Sequence, residues 1–135
     1  MVDDVVAEVV IDADPAEIFA FFTQPQLLES WMGDAAFLDP REGGTFALEV
    51  GGASVRGRYV EIEAPCRLVI SWGFHGSEEL PPEASLVEIT LTPDTGGTRV
   101  RLRHRILPGA QRERHEAGWV RYLARLVTIV PVRLR

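Results

Sequence analysis

Two of the three histidines occupy positions from which an imidazole can bind a small molecule. His104 lies among the apolar residues of a strand pattern, and His115 opens the apolar face of a helical pattern. Both side chains are expected to project into one interior space, where an imidazole hydrogen-bonds to the polar end of a ligand. His75 lies in a glycine-flanked loop, so the sequence offers no third ligand for a metal. It therefore predicts no metal and no other cofactor.

Aromatic side chains are predicted to surround these two histidines. The three tryptophans come from a short helix, the middle of a sheet and a long helix, and each falls on the inward face of its segment. Such a cluster is typical of a plain hydrophobic core and also of the wall of a ligand pocket. The candidate ligand-binding residues are Trp31, Phe46, Trp72, Phe74, His104, His115, Trp119 and Tyr122.

Covalent catalysis has little support in the sequence. Cys66 follows Pro65 in a predicted hairpin turn, without the helix terminus or histidine that activates a thiol. Asp39, Arg41 and Glu42 precede a Gly-Gly pair, and turn chemistry explains this group better than acid–base catalysis does. The sequence predicts no catalytic residue, and it favours binding over enzymatic activity.

Two short helices are predicted after an initial alternating strand pattern. Asp14 and Pro15 suit a helix cap and a first helical residue, and apolar residues then recur at helical spacing to about Thr23. Pro25 predicts the start of a second short helix, which is expected to end at Gly33. The two helices should form a corner before the main sheet.

The middle of the chain is predicted to form an antiparallel sheet of six or seven strands. Glycine pairs and a Pro-Pro step divide it into segments of strand length. The predicted strands are Val5–Asp12, Ala36–Leu38, Thr45–Val50, Ser54–Glu63, Arg67–Phe74, Ser85–Thr92 and Thr98–Ile106.

Alternation within these strands predicts which side chains point inward. The inward positions are Leu68, Ile70, Trp72, Phe74, Val87, Ile89, Leu91, Val100, Leu102 and His104. The outward face of the last strand carries Arg99, Arg101, Arg103 and Arg105. These arginines are expected to form cross-strand pairs with Glu88 and other acids of neighbouring strands.

A long helix is predicted from Gln111 to near Pro131. At 1.5 Å per residue, about 18 residues reach roughly 27 Å, enough to cross the sheet. A single helix cannot easily fill the concave face of a curved sheet, so a cavity is expected beside it. Within the helix, Gly118 either leaves room for a ligand or permits close contact with the sheet. The inward face carries His115, Trp119, Tyr122, Leu126 and Val130, whereas Arg112, Arg114, Arg121 and Arg125 lie largely elsewhere.

Length and composition bound the class of protein. The 135 residues predict a single α+β domain spanning 1–135. One cysteine and the lack of a long apolar stretch predict a cytoplasmic protein that makes no membrane contact. Ten of the 14 arginines follow residue 94, yet the net charge is −6 and no RNA-binding motif accompanies them. A nucleic-acid partner is therefore not expected.

An ordered set of short motifs resembles the START-like, helix-grip superfamily (SRPBCC). Within it, the chain is similar to small bacterial proteins related to the activator of the heat-shock chaperone ATPase. The motifs that carry the resemblance are Ile11-Asp12-Ala13-Asp14-Pro15-Ala16-Glu17-Ile18-Phe19, Trp31, Asp39-Pro40-Arg41-Glu42-Gly43-Gly44-Thr45-Phe46, Gly57, Glu63-Ala64-Pro65-Cys66-Arg67-Leu68, Trp72, Gly97-Thr98, His104, His115 and Gly118-Trp119. The resemblance implies a curved antiparallel sheet wrapped around one long C-terminal helix.

Several functions are compatible with this resemblance, because fold alone does not specify activity. The leading hypothesis is a binder of a small hydrophobic molecule, held between the C-terminal helix and the sheet. The second is a polyketide cyclase, aromatase or hydrolase that uses a pocket histidine as general base. The third is protein contact, either with a chaperone or in a homodimer. Met32 stands where such proteins often have a second tryptophan. The separate N-terminal module of the chaperone activators is expected to be absent, which counts against a co-chaperone role.

Overall fold

The computed structural model describes residues 4–131, which form seven strands and three helices. The strands are β1 (Val5–Ile11), β2 (Ala35–Leu38), β3 (Thr45–Val50), β4 (Ala53–Glu63), β5 (Arg67–Trp72), β6 (Ser85–Asp94) and β7 (Gly97–Arg105). The helices are α1 (Pro15–Thr23), α2 (Pro25–Trp31) and α3 (Gly109–Ile129). The predicted order of elements is confirmed.

All seven strands belong to one antiparallel sheet in the order β1-β7-β6-β5-β4-β3-β2. The strands that precede and follow the two short helices are therefore the two edges of the sheet. The long helix α3 packs against the curved sheet and contacts β1 and α2. This is the helix-grip arrangement that the sequence predicted.

The helix boundaries follow from local chemistry. Pro15 and Pro25 occupy the first turns of α1 and α2, where a missing backbone N–H is tolerated. The long helix begins at Gly109, two residues before the predicted start, and contains 21 residues. No helix within residues 4–131 combines the length and hydropathy needed to cross a bilayer.

β1 and β7 end one residue earlier than predicted, and β5 ends two residues earlier. β5 ends at Trp72, and Phe74 forms an isolated bridge with Val55. Gly73 follows the strand end, and only glycine fits there, because a Cβ at this position would lie 1.8 Å from the carbonyl oxygen of Pro81. The loop after β5 therefore crosses close to the sheet before it returns to β6.

The predicted inward faces of β6 and β7 are confirmed. Val100, Leu102 and His104 have no exposed surface, and Leu102 lies opposite Ile89. On the outward face, Arg99 pairs with Asp94 at 2.8 Å. Glu88 lies opposite Arg103 as predicted, but it accepts hydrogen bonds from Arg67 instead.

Candidate functional site

An open pocket of about 610 Å³ lies beside the first half of α3. Its other walls come from the turn between β3 and β4 and from the loop that follows β5. The apolar side chains that line it include Met32, Trp72, Phe74, Leu80, Trp119 and Tyr122. The volume is within the range of small-molecule sites, about 300–1,000 Å³.

Two indole rings form the base of the pocket. The ring centroids of Trp72 and Trp119 are 5.1 Å apart, with an angle of 58° between their planes. Both residues are buried, and Phe46 supports Trp72 from behind at 5.6 Å. Nε1 of Trp72 is buried and has no hydrogen-bond partner among the described residues. The site therefore contains one unpaired donor, which is unusual for a buried polar atom.

His104 lies behind the indole pair and uses both ring nitrogens within the protein. Nε1–H of Trp119 donates to Nδ1 of His104 at 2.9 Å. Nδ1 is thus an acceptor, and in the neutral ring Nε2 carries the proton and donates to Oγ of Ser85 at 2.7 Å. The Ser85 hydroxyl in turn donates to the carbonyl oxygen of Trp72 at 2.7 Å. The network fixes the tautomer of His104 and joins α3 to the sheet.

Burial, together with the smaller effect of the nearby His115, lowers the pKa of His104 to about 3. The imidazole is therefore neutral at physiological pH. Because neither nitrogen has a free position, His104 is not available as a general base or as a metal ligand in this arrangement. Its role is to hold Trp119 in place.

His115 differs from His104 because it borders the pocket. Its Nδ1 lies 2.9 Å from the carbonyl oxygen of Gln111, which can only accept, so Nδ1 carries the proton. Burial lowers the pKa of His115, and the charge of Arg114 contributes in the same direction, although the bond to Gln111 opposes them. The ring is thus neutral, and Nε2 is an acceptor to which no described residue donates.

The structure brings five of the eight candidate binding residues together at the pocket wall, namely Trp72, Phe74, His115, Trp119 and Tyr122. The other three lie deeper. Trp31 donates from Nε1 to the carbonyl oxygen of Phe21 at 3.0 Å, and Phe46 packs edge-on against Tyr59. Together with His104, these residues form the layer that supports the wall.

The remaining charged motif is a turn, as the sequence predicted. Nε of Arg41 donates to Oδ2 of Asp39 at 2.8 Å. Gly43 has a φ of +84°, and a Cβ at Gly44 would lie 2.0 Å from the carbonyl oxygen of Asp39. Cys66 is exposed and unpaired.

Gly118 leaves room beside the pocket. A Cβ built at this residue has no heavy atom within 4 Å outside its own helix turn and neighbours. The alternative prediction, that Gly118 permits close contact between helix and sheet, is therefore wrong. Gly118 lines the pocket between His115 and Tyr122, so a larger side chain at this position would occupy part of the pocket.

Sequence reasoning missed two arginines of the pocket and the loop residue His75. Arg114 and Arg121 line the pocket, although the helical pattern assigned most arginines of α3 to other faces. The open side of the pocket extends around the flank of the helix and so includes them. The sequence does contain a signal for these two arginines. Arg114 lies four residues before Gly118 and Arg121 three residues after it, so a helical projection places all three on one flank.

The fold and its site define the class to which the chain belongs: a START-like helix-grip protein with a pocket between its long helix and its sheet. Residues 12–131 match the family model described as Activator of Hsp90 ATPase homolog 1-like protein. The chain belongs to this family.

The chain is similar to several characterised sequences and structures. The human activator of 90 kDa heat shock protein ATPase homolog 1 is 29% identical over 110 residues, which are 80% of this chain and 31% of the human protein. The chain thus spans about a third of that curated relative. An AHSA1-like protein from Rhizobium etli is 41% identical, with a TM-score of 0.78 over 98% of this chain and 84% of that one.

A solution structure of an Aha1 dimer from Colwellia psychrerythraea has the same fold, with a TM-score of 0.81. It is 16% identical and covers 95% of this chain and 96% of that chain. At this level of identity the likeness establishes the fold alone. A dimeric member of this fold is therefore known.

Proposed function

We propose that this protein binds a small hydrophobic molecule in the pocket between α3 and the sheet. The observation that carries the proposal is the aromatic wall, in which Trp72, Phe74, Trp119 and Tyr122 border a space of about 610 Å³. The absence of a side chain at Gly118 supports the same conclusion, since it leaves the helical wall recessed.

One polar group of the ligand is oriented by His115. Its Nε2 accepts a hydrogen bond, so the ligand presents a hydroxyl or N–H group to it. The unpaired Nε1–H of Trp72 offers a donor at the base of the wall, available to a ligand acceptor after a small shift of the ring. Trp31, Phe46 and His104 act from the supporting layer and keep the wall rigid.

Titration with a neutral fluorescent probe, N-phenylnaphthylamine, tests this proposal. The wild-type protein should bind the probe at one site, and Gly118→Leu should abolish binding while the fold is retained. Gly118→Ala is the matched control and should bind as the wild type does, because a methyl group occupies little of the pocket. Equal binding by Gly118→Leu and wild type would place the probe elsewhere and contradict the proposal. Native mass spectrometry of the purified protein would identify a co-purifying ligand.

A cyclase or hydrolase activity is the second candidate. The observation in its favour is the arrangement of His115, whose Nδ1–H is fixed by Gln111 while Nε2 is free to take a proton. Single-turnover assays with polyketide mimics test this activity. His115→Gln should remove it, whereas His104→Gln should leave the rate of the chemical step unchanged. Turnover that is unaffected by His115→Gln would exclude this histidine as the base.

Protein contact is the third candidate. The match to the human activator favours contact with a chaperone ATPase, and the dimer of the Colwellia protein favours self-association. Phe37 on the edge strand β2 is 58% exposed, which suits an edge-to-edge contact. Stimulation of ATPase activity tests the first, and sedimentation equilibrium with Phe37→Ser tests the second. A cytoplasmic location is part of the same proposal.

A further inference from the structure

The charged residues that line the pocket are all basic. Among its 18 lining residues are two arginines, and no aspartate or glutamate. The chain as a whole has 20 acidic and 14 basic residues and a net charge of −6. The wall therefore has the opposite charge to the protein that surrounds it.

Arg114 and Arg121 are placed to act together. They are seven residues apart on α3, which is two turns, or about 10.5 Å along the axis. Gly118 lies between them on the same flank of the helix and leaves the space between the two side chains open. The guanidinium of Arg121 lies 5.6 Å from the centre of the Tyr122 ring, which also lines the pocket.

Neither arginine forms an ion pair with a described residue, unlike Arg112, which pairs with Glu116 on the same helix at 3.7 Å. Arg114 and Arg121 are thus exposed residues that line the pocket, and no described carboxylate pairs with either guanidinium group. Unpaired guanidinium groups on a pocket wall bind carboxylates and other oxyanions strongly, because the donors form charge-assisted and often paired hydrogen bonds.

Two acids that contact residues of the pocket wall have other partners. Glu49 accepts hydrogen bonds from Ser54 and Arg56, and these bonds lower the pKa of its carboxyl group. Glu79 accepts a hydrogen bond from the side-chain amide of Gln111. Among the described residues, neither carboxylate forms an ion pair with Arg114 or Arg121.

We infer that the ligand is an anionic amphiphile. Its apolar body lies against the aromatic wall, and its carboxylate or other small oxyanion binds between Arg114 and Arg121 at the open side. This inference rests on the proposed function, because it specifies the chemistry of the molecule in the same pocket. The inference predicts that the pocket prefers an anionic ligand to an uncharged one.

Two fluorescent probes with the same ring system distinguish the contribution of a negative charge to binding from the contribution of the apolar rings. Anilinonaphthalene sulfonate carries a negative charge, and N-phenylnaphthylamine is its neutral counterpart. At low ionic strength the wild-type protein should bind the sulfonate about tenfold more tightly, as expected for charge-assisted contacts at a half-open site. The variant Arg114→Gln/Arg121→Gln should lose this preference and bind the neutral probe within about twofold of wild type.

Arg125→Gln is the matched control, because Arg125 is an exposed residue of α3 that does not line the pocket. It should keep the preference for the sulfonate. The inference is overturned if the wild type binds both probes equally, or if Arg125→Gln loses the preference as fully as the double variant does. Either result would leave the proposal of a hydrophobic ligand in the pocket intact. If wild type binds neither probe, the proposed function itself fails. Circular dichroism checks that each variant is folded.

Discussion

Nε1–H of Trp119 donates a hydrogen bond of 2.9 Å to Nδ1 of His104 and so joins the long helix to the last strand. Both side chains are buried, and the indole of Trp119 forms part of the pocket wall. The position of the wall thus depends on a histidine that does not itself reach the pocket.

His104→Ala should destabilise the protein by about 3 kcal/mol. The substitution leaves Nε1–H of Trp119 without its acceptor and opens a cavity behind the indole pair. Urea denaturation of the variant measures the loss. His75→Ala, in an exposed loop, is the control and should change the free energy of unfolding by no more than about 0.5 kcal/mol. Equal stability of the two variants would show that the network is not structural.

Acid should weaken the fold through the same histidine. The pKa of His104 is lowered to about 3 in the folded state, from an ordinary value of 6.5. Below pH 6.5 the unfolded chain binds a proton that the folded protein excludes, so stability falls as the pH falls, until about pH 3 is reached. Between pH 7 and pH 4.5 this group should contribute a loss of about 2–3 kcal/mol.

His104→Gln isolates that contribution. His115, whose pKa is also lowered, and the carboxylates titrate in both proteins, so their effects cancel when the two pH profiles are subtracted. The profile of the variant should be flatter by about 1.4 kcal/mol per pH unit between pH 4.5 and 6. Parallel profiles would mean that His104 titrates normally.

Gly118→Ala should be neutral or stabilising by up to about 1 kcal/mol. Alanine favours the helix over glycine by reducing the freedom of the unfolded chain, and a Cβ at this position meets open space. A thermal melt measures the change. A large fall in melting temperature would contradict the space that the structure places beside Gly118.

Gly57→Ala should have the opposite effect, because a Cβ on β4 would lie 1.7 Å from the carbonyl oxygen of Ser71 on β5. The strands would have to move apart, and the expected loss is about 3 kcal/mol. The same melt compares it with Gly118→Ala, which is the identical chemical change in open space. Similar stabilities of the two variants would be inconsistent with the close approach of β4 and β5.

Much of the fold was predictable from local patterns. Alternation along β7 identified Val100, Leu102 and His104 as inward residues, and all three are fully buried. Prolines at the first turns marked the starts of α1 and α2. These predictions succeed because the direction of a Cβ depends on the local backbone repeat, which the sequence pattern reports directly.

The sequence by itself determined which side chains point inward, but only the tertiary structure decided which of them border the pocket. Trp31 and Trp119 have the same pattern, yet the first lies in the supporting layer and the second in the wall. His104 is held by Ser85 from β6 and Trp119 from α3, partners that its own strand does not specify. A periodic pattern gives the direction of a side chain and not its distance from the next element. The pocket exists where α3 and the sheet diverge, and that separation depends on the packing of all the elements together.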